Sequence, residues 1–196
     1  MDERLSKQLE FLIEADKMKT IFRQTLLIDK SRFENDAEHS WHIALMAIIL
    51  FEHVSVSGVD LNRVVKMAII HDLIEIYAGD TYAHDIEGNK GKYERELLAA
   101  DKLFNLLPHD QAIEFKELWE EFEEMKTPDA MYANAVDRVQ PFINNFKTDG
   151  EMWIKKKVKA KQVFDRMKTI ENVLPKLWDF IQSIIKKATE NGVFSD

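Results

Sequence analysis

Cysteine is absent from the 196 residues, so disulfides and thiolate metal sites are excluded, and any bound metal must be held by nitrogen and oxygen ligands. Glycine and proline are scarce, at 6 and 4 residues, which leaves long segments without turn signals. Positive charge is in deficit: a net charge of -8 and a pI near 5.3 argue against a general electrostatic grip on nucleic acid or an anionic membrane, and so for a small partner. Long apolar runs are missing too. The longest, residues 43–51, is too short to span a bilayer, and the opening Met1-Asp2-Glu3-Arg4 leads into an amphipathic rather than a signal-like segment. The expectation is a soluble, cytoplasmic protein without an export signal.

What is present is 45% hydrophobic residues recurring at three- and four-residue intervals, the period of packed helices. This predicts an all-α chain, a compact multi-helix bundle with residues 1–196 as a single domain. A first helix is expected over residues 3–27, burying Leu5, Leu9, Leu12, Ile13, Met18 and Phe22. Asn35 or Asp36 can cap a second, with His39, Ile43, Met46, Ala47 and Leu50 on one face. A third runs from Asp60 to Ala78, where Gly79 supplies a left-handed stop. Residues 80–91 read as a loop long enough to be a lid or binding element. Helices follow over residues 92–106, after Pro108, after Pro128, and twice near the C-terminus on either side of Pro175. Lys155, Lys156, Lys157, Lys159 and Lys161 read as a solvated face.

Three His-Asp dipeptides occur, and their settings separate them. His109-Asp110 follows Pro108 at a helix start, where an acid is favoured by exposed N–H groups. His84-Asp85 lies in the polar loop. Only His71-Asp72 sits inside an apolar run, Ile70-His71-Asp72-Leu73-Ile74, where a carboxylate without a counter-charge costs several kcal/mol, roughly. Its partners should be other polar residues in apolar helices, and His39 and Asp137 fit that description. Two imidazoles and two carboxylates from three helices form a mixed nitrogen and oxygen set that suits one divalent ion: manganese, cobalt, iron, nickel or zinc. Glu75, four residues after His71, shares its helical face and can orient a water or pass a proton.

His39, His71, Asp72 and Asp137, in that order, resemble the pattern of the HD superfamily of metal-dependent phosphohydrolases. The flanking words Ala37-Glu38-His39-Ser40, Glu75-Ile76 before Gly79-Asp80, and Val136-Asp137-Arg138-Val139-Gln140-Pro141 look like its 5'-deoxynucleotidase-like branch. The resemblance covers residues 21–145, and the C-terminal helices, residues 151–193, add little to it. It implies a phosphomonoesterase acting on a small phosphorylated substrate, a nucleoside or deoxynucleoside 5'-monophosphate, through a metal-activated water. It also implies that Asp80 contacts the sugar, that Arg23 in the first helix clamps the phosphate, and that the protein is a homodimer. Gln24 stands where the family commonly has Trp. Arg32 is a rival clamp. A two-metal phosphodiesterase or oxygenase, and a helical module with a structural ion, are the alternatives.

Overall fold

The computed structural model describes residues 2–85 and 87–195; Met1, Ile86 within the expected loop, and Asp196 lie outside the described residues. Helix α1 (Glu3–Ala15) starts at Asp2, whose side chain accepts from Leu5 N at 3.3 Å. It ends twelve positions before residue 27, the boundary expected from periodicity. A 3-10 turn (Asp16–Thr20) leads into strand β1 (Phe22–Leu26), which pairs antiparallel with β2 (Phe33–Asn35). The physical cause is a reversal at the hairpin tip. Asp29 Oδ1 accepts from Ser31 N at 3.0 Å, Lys30 takes a left-handed φ of 61°, and Leu27 N donates to Arg32 O at 3.0 Å. Spacing had placed Phe22 one turn after Met18, but in the strand Phe22 points outward while Thr25 is buried. The stripe expected inside α1 is likewise outside: Leu5, Leu9, Leu12 and Ile13 are exposed, Leu12 by 62%, and Phe11 is the buried residue, edge-on to Phe115.

Helix α2 (Asp36–Leu50) opens on a capping box. Asn35 Oδ1 accepts from Glu38 N at 2.9 Å, and Glu38 Oε2 accepts from Asn35 N at 3.2 Å. Its inner face carries His39, Ile43 and Ala47, as the spacing predicts. The third expected helix is broken in two, α3 (Leu61–Ile70) and α4 (Glu75–Ala78). Between them the chain winds more tightly, with Leu73 N bonded to Ile70 O, Glu75 N to Asp72 O and Ile76 N to Leu73 O, all three residues apart. Gly79 closes α4 with φ 77° and ψ 149°, a positive φ but not the left-handed helical conformation expected.

After the loop come α5 (Lys92–Phe104), α6 (His109–Glu124) and α7 (Pro128–Lys147). Helix α7 starts at Thr127, whose Oγ1 accepts from Ala130 N at 3.1 Å, and it continues through Pro141. It is the central element, packed against α2, α3, α6 and β1. Tyr132 on it donates to Ala47 O at 2.7 Å inside the core. The C-terminal region holds more helices than the two expected: α8 (Glu151–Lys155), α9 (Ala160–Met167), α10 (Ile170–Val173) and α11 (Pro175–Glu190). Leu174, Trp178, Ile181 and Ile185 are buried within this chain, and the five lysines between residues 155 and 161 are exposed. No helix among the described residues is long and apolar enough to cross a membrane.

Candidate active site

Four elements deliver the polar cluster. His39 comes from α2, His71 and Asp72 from the tightened turn after α3, Asp137 from α7, and Arg23 from β1 rather than from a helix. His39 Nε2 lies 2.9 Å from Asp137 Oδ1 and 3.7 Å from Asp72 Oδ2. His71 Nε2 lies 3.1 Å from Asp72 Oδ1 and 3.7 Å from Asp137 Oδ1. The four residues expected to converge are therefore neighbours, each imidazole Nε2 lying within 3.7 Å of both carboxylates.

The opposite ring nitrogens fix the tautomers. His71 Nδ1 faces Ala68 O at 3.0 Å, an atom that can only accept, so Nδ1 carries the proton. His39 Nδ1 faces Gln140 Oε1 at 2.9 Å, while Gln140 Nε2 donates to Glu34 Oε1 at 2.6 Å, which orients the amide and makes His39 Nδ1 the donor as well. Both Nε2 atoms thus turn towards Asp72 and Asp137, and His71 Nε2 is buried without a hydrogen-bond partner among the described residues. Imidazoles held this way by outer partners are suited to ligate a cation, and the donor set of two nitrogens and two carboxylates fits a divalent ion. The two carboxylates make the site favour positive charge: burial works against a proton on His71, yet Asp72 and Asp137 outweigh it and push its pKa up to about 10, so without an ion Nε2 also holds a proton, the one a bound cation would displace. The same burial is outweighed at Asp137 by His39 and His71, and at Asp72 by His71 and Arg23, so both carboxyls stay well below their ordinary range.

A second acidic group adjoins the first. Ligand atoms of Asp36, Glu75 and Asp80 lie within 4.8 Å of one another, as do those of His39, His71 and Asp72. Asp36 is fully buried, and neither of its carboxylate oxygens has a hydrogen-bond partner among the described residues. Burial and then the Asp72 charge raise its pKa to about 7. Glu75 is buried and is raised well above the ordinary value by burial first, then Asp72 and Asp36. Its place relative to the ligands differs from the expected one: the i to i+3 winding sets it below Asp72, not His71, though it reaches the same cavity. Asp80, raised by burial, also lines that cavity. Arg23 is the counter-charge between the groups, with Nη1 at 2.7 Å from Asp72 Oδ2 and 3.5 Å from Asp36 Oδ1. Burial opposes its charge, but Asp72, Glu75 and Asp137 overcome this and raise its pKa. Arg32 is outside the site, paired with Glu38 at 2.8 Å.

The cavity holds about 220 Å³, and its wall includes residues 80–84 and Asn89 together with Val163, Arg166 and Met167 of α9. His84, in the polar loop, lines it and meets Tyr82 edge-on with ring centroids 5.4 Å apart. His109 is exposed at the start of α6, and its neighbour Asp110 pairs with Arg4 at 2.7 Å. Asp36, Glu34, Gln140 and Arg166 were not picked out from the sequence. Asp36 reads as a helix-start acid, and Glu34 and Gln140 show their importance only once the fold buries them.

The HD domain family profile matches residues 15–178. The 5'-deoxynucleotidase HDDC2 of Dictyostelium discoideum is 28% identical over 82% of this chain and 88% of its own length. The human protein of that name is 28% identical over 67% of this chain and 63% of its own length. A crystal structure described as a predicted metal-dependent phosphohydrolase, from Magnetospirillum magnetotacticum MS-1, superposes with a TM-score of 0.92 at 46% identity, covering 98% of this chain and 96% of that one. The profile match runs from the end of α1 into α11, taking in every residue of the polar cluster, and this chain belongs to the HD domain family.

Proposed function

We propose that this protein is a metal-dependent phosphohydrolase that releases phosphate from a nucleoside or deoxynucleoside 5'-monophosphate. The observation that carries the reading is the convergence of both imidazole Nε2 atoms on Asp72 and Asp137, with distances of 2.9 to 3.7 Å. In this reading His39, His71, Asp72 and Asp137 hold one divalent ion, which acidifies a water ligand and polarises a phosphoryl oxygen when bound. Manganese, cobalt, iron, nickel and zinc all accept such ligands.

Glu75 handles the proton. Its raised pKa suits it to take a proton from the attacking water and to return one to the leaving 5'-oxygen as the phosphorus–oxygen bond breaks. Asp80, at the cavity wall, takes the sugar hydroxyls, and Arg23 steadies Asp72 while meeting the phosphate from the hairpin side. A second ion at Asp36, Glu75 and Asp80 is the competing reading, because those ligand atoms also converge. Arg23 favours the single ion, since its guanidinium already stands 3.5 Å from Asp36. Metal analysis of the loaded protein decides between one and two ions per chain.

Phosphate release from a panel of nucleoside monophosphates, deoxy and ribo, 5' and 3', with each divalent ion in turn, tests the function. Turnover confined to 5'-monophosphates supports the proposal; silence across the panel rejects it. A homodimer belongs to the same reading. With the face around Trp178 buried inside the chain, the outer stripe of α2, where Trp41 is 66% exposed beside Leu45, Ile48 and Ile49, is the surface we assign to a second copy. Sedimentation of Trp41→Glu should show monomers where the wild type shows dimers. We also place the enzyme in the cytoplasm, where such nucleotides are met, and cell fractionation tests this.

A further inference from the structure

Helix α9 lies beyond residues 21–145, the segment that carries the motifs, yet it lines the cavity. Val163 and Met167, one turn apart, are buried and line the cavity wall beside Arg166. The backbone there is pinned by the neighbour of a proposed ligand: Arg138 Nη1 donates to Arg166 O at 3.1 Å and to Thr169 Oγ1 at 2.8 Å. The Arg166 side chain is thereby directed back at the polar cluster, with Nη2 3.9 Å from Asp137 Oδ2. Asp137 thus presents Oδ1 to the imidazoles and Oδ2 towards this guanidinium.

What distinguishes Arg166 from the other cations of the cavity is that none of its side-chain donors is in a hydrogen bond with the described residues, whereas each of the others engages at least one polar partner. Arg23 donates to Asp72 at 2.7 Å, Arg138 to the α9 backbone, and Lys92 sits 3.2 Å from Glu96. The Arg166 side chain makes no hydrogen bond with the described residues, is 34% exposed, and lines both the main cavity and the depression next to it. A planar guanidinium with free parallel donors, held at the edge of a metal centre, is matched to a phosphate dianion.

We infer that Arg166 binds the phosphoryl oxygens of the substrate, gripping the phosphate from the side opposite Arg23. This rests on the phosphohydrolase reading above. It also gives the C-terminal region a role in recognition, because α9 carries a substrate contact as well as covering the core.

The test is steady-state kinetics of the manganese-loaded protein and its Arg166→Ala variant on a nucleoside 5'-monophosphate, together with inhibition by inorganic phosphate. Loss of a charge-assisted contact should raise KM and the inhibition constant for phosphate by about ten- to a hundredfold. Metal content and melting temperature should stay at wild-type values, and Arg166→Lys should restore part of the affinity. Unchanged KM and phosphate inhibition overturn the inference. So does loss of metal in step with loss of activity, since that makes Arg166 only a support for Asp137. If Arg166→Ala fails to fold, Arg166→Gln gives the same readout. A wild type inert on every monophosphate rejects the functional reading itself, whereas an active wild type with an equally active variant rejects only the part given to Arg166.

Discussion

His39 Nε2 and Asp137 Oδ1 stand 2.9 Å apart although 98 residues separate them in the chain. The contact joins α2 to the middle of α7, the two helices that also share the bonded pair Tyr132 and Ala47. The site is therefore set by the core of the bundle, and its behaviour should follow the fate of individual buried side chains.

Removing a carboxylate from the cluster should empty it. Asp72→Ala and Asp137→Ala each leave two imidazoles with one acid, and Asp72→Ala also strips Arg23 of its 2.7 Å partner. Metal analysis after dialysis should find no bound ion in either variant, and phosphate release should fall to background.

Gln140 acts one bond further out, accepting from His39 and donating to Glu34. Gln140→Leu keeps the volume but lets the imidazole turn and leaves Glu34 without its donor. Metal affinity or turnover should drop about 10- to 100-fold, a typical cost for an outer partner of a metal ligand, measured by competition with a chelating dye.

Glu75→Gln separates chemistry from binding. The amide fills the same space without exchanging a proton, so metal content should persist while kcat falls by roughly 10² to 10⁴. A variant that loses its metal as well would show that Glu75 is itself a ligand.

His84 gives the fold an acid limit. Burial, then the charge of Arg166, holds its pKa down to about 4, so it is neutral in the folded chain at neutral pH. An unfolded histidine takes up its proton at about 6.5. Between those values the unfolded state binds more protons, so this contribution is complete above pH 6.5 or so, declines as the pH falls, and is gone below about 4. Thermal melts of His84→Gln should lose less stability than the wild type across that window.

The sequence made the chemistry more legible than the chain path that supports it. His39, His71, Asp72 and Asp137 stood out because each interrupts an apolar helix, a pattern that burial alone makes expensive. The hairpin did not stand out, since Phe22 and Met18 mimic helical spacing and the reversal depends on local bonds at Asp29 and Ser31. Asp36 was masked by its place at a helix start, where acids are ordinary. Arg166 was masked by company: it lies in a charged amphipathic segment, and only the packing of α9 onto α7 and the Arg138 tether turn it towards the cavity.

The tightened winding between α3 and α4 has its own lesson for how this centre tolerates change. With three residues to the turn, the acid at 75 falls beneath the acid at 72, so the two carboxyls to which we assign proton transfer and metal binding are stacked along one edge. One residue added between them would swing the lower carboxyl about 120° away from the cavity. Length in that short step is therefore as constrained as residue identity, and natural variation in this protein should spare it while substitutions accumulate on the exposed faces around it.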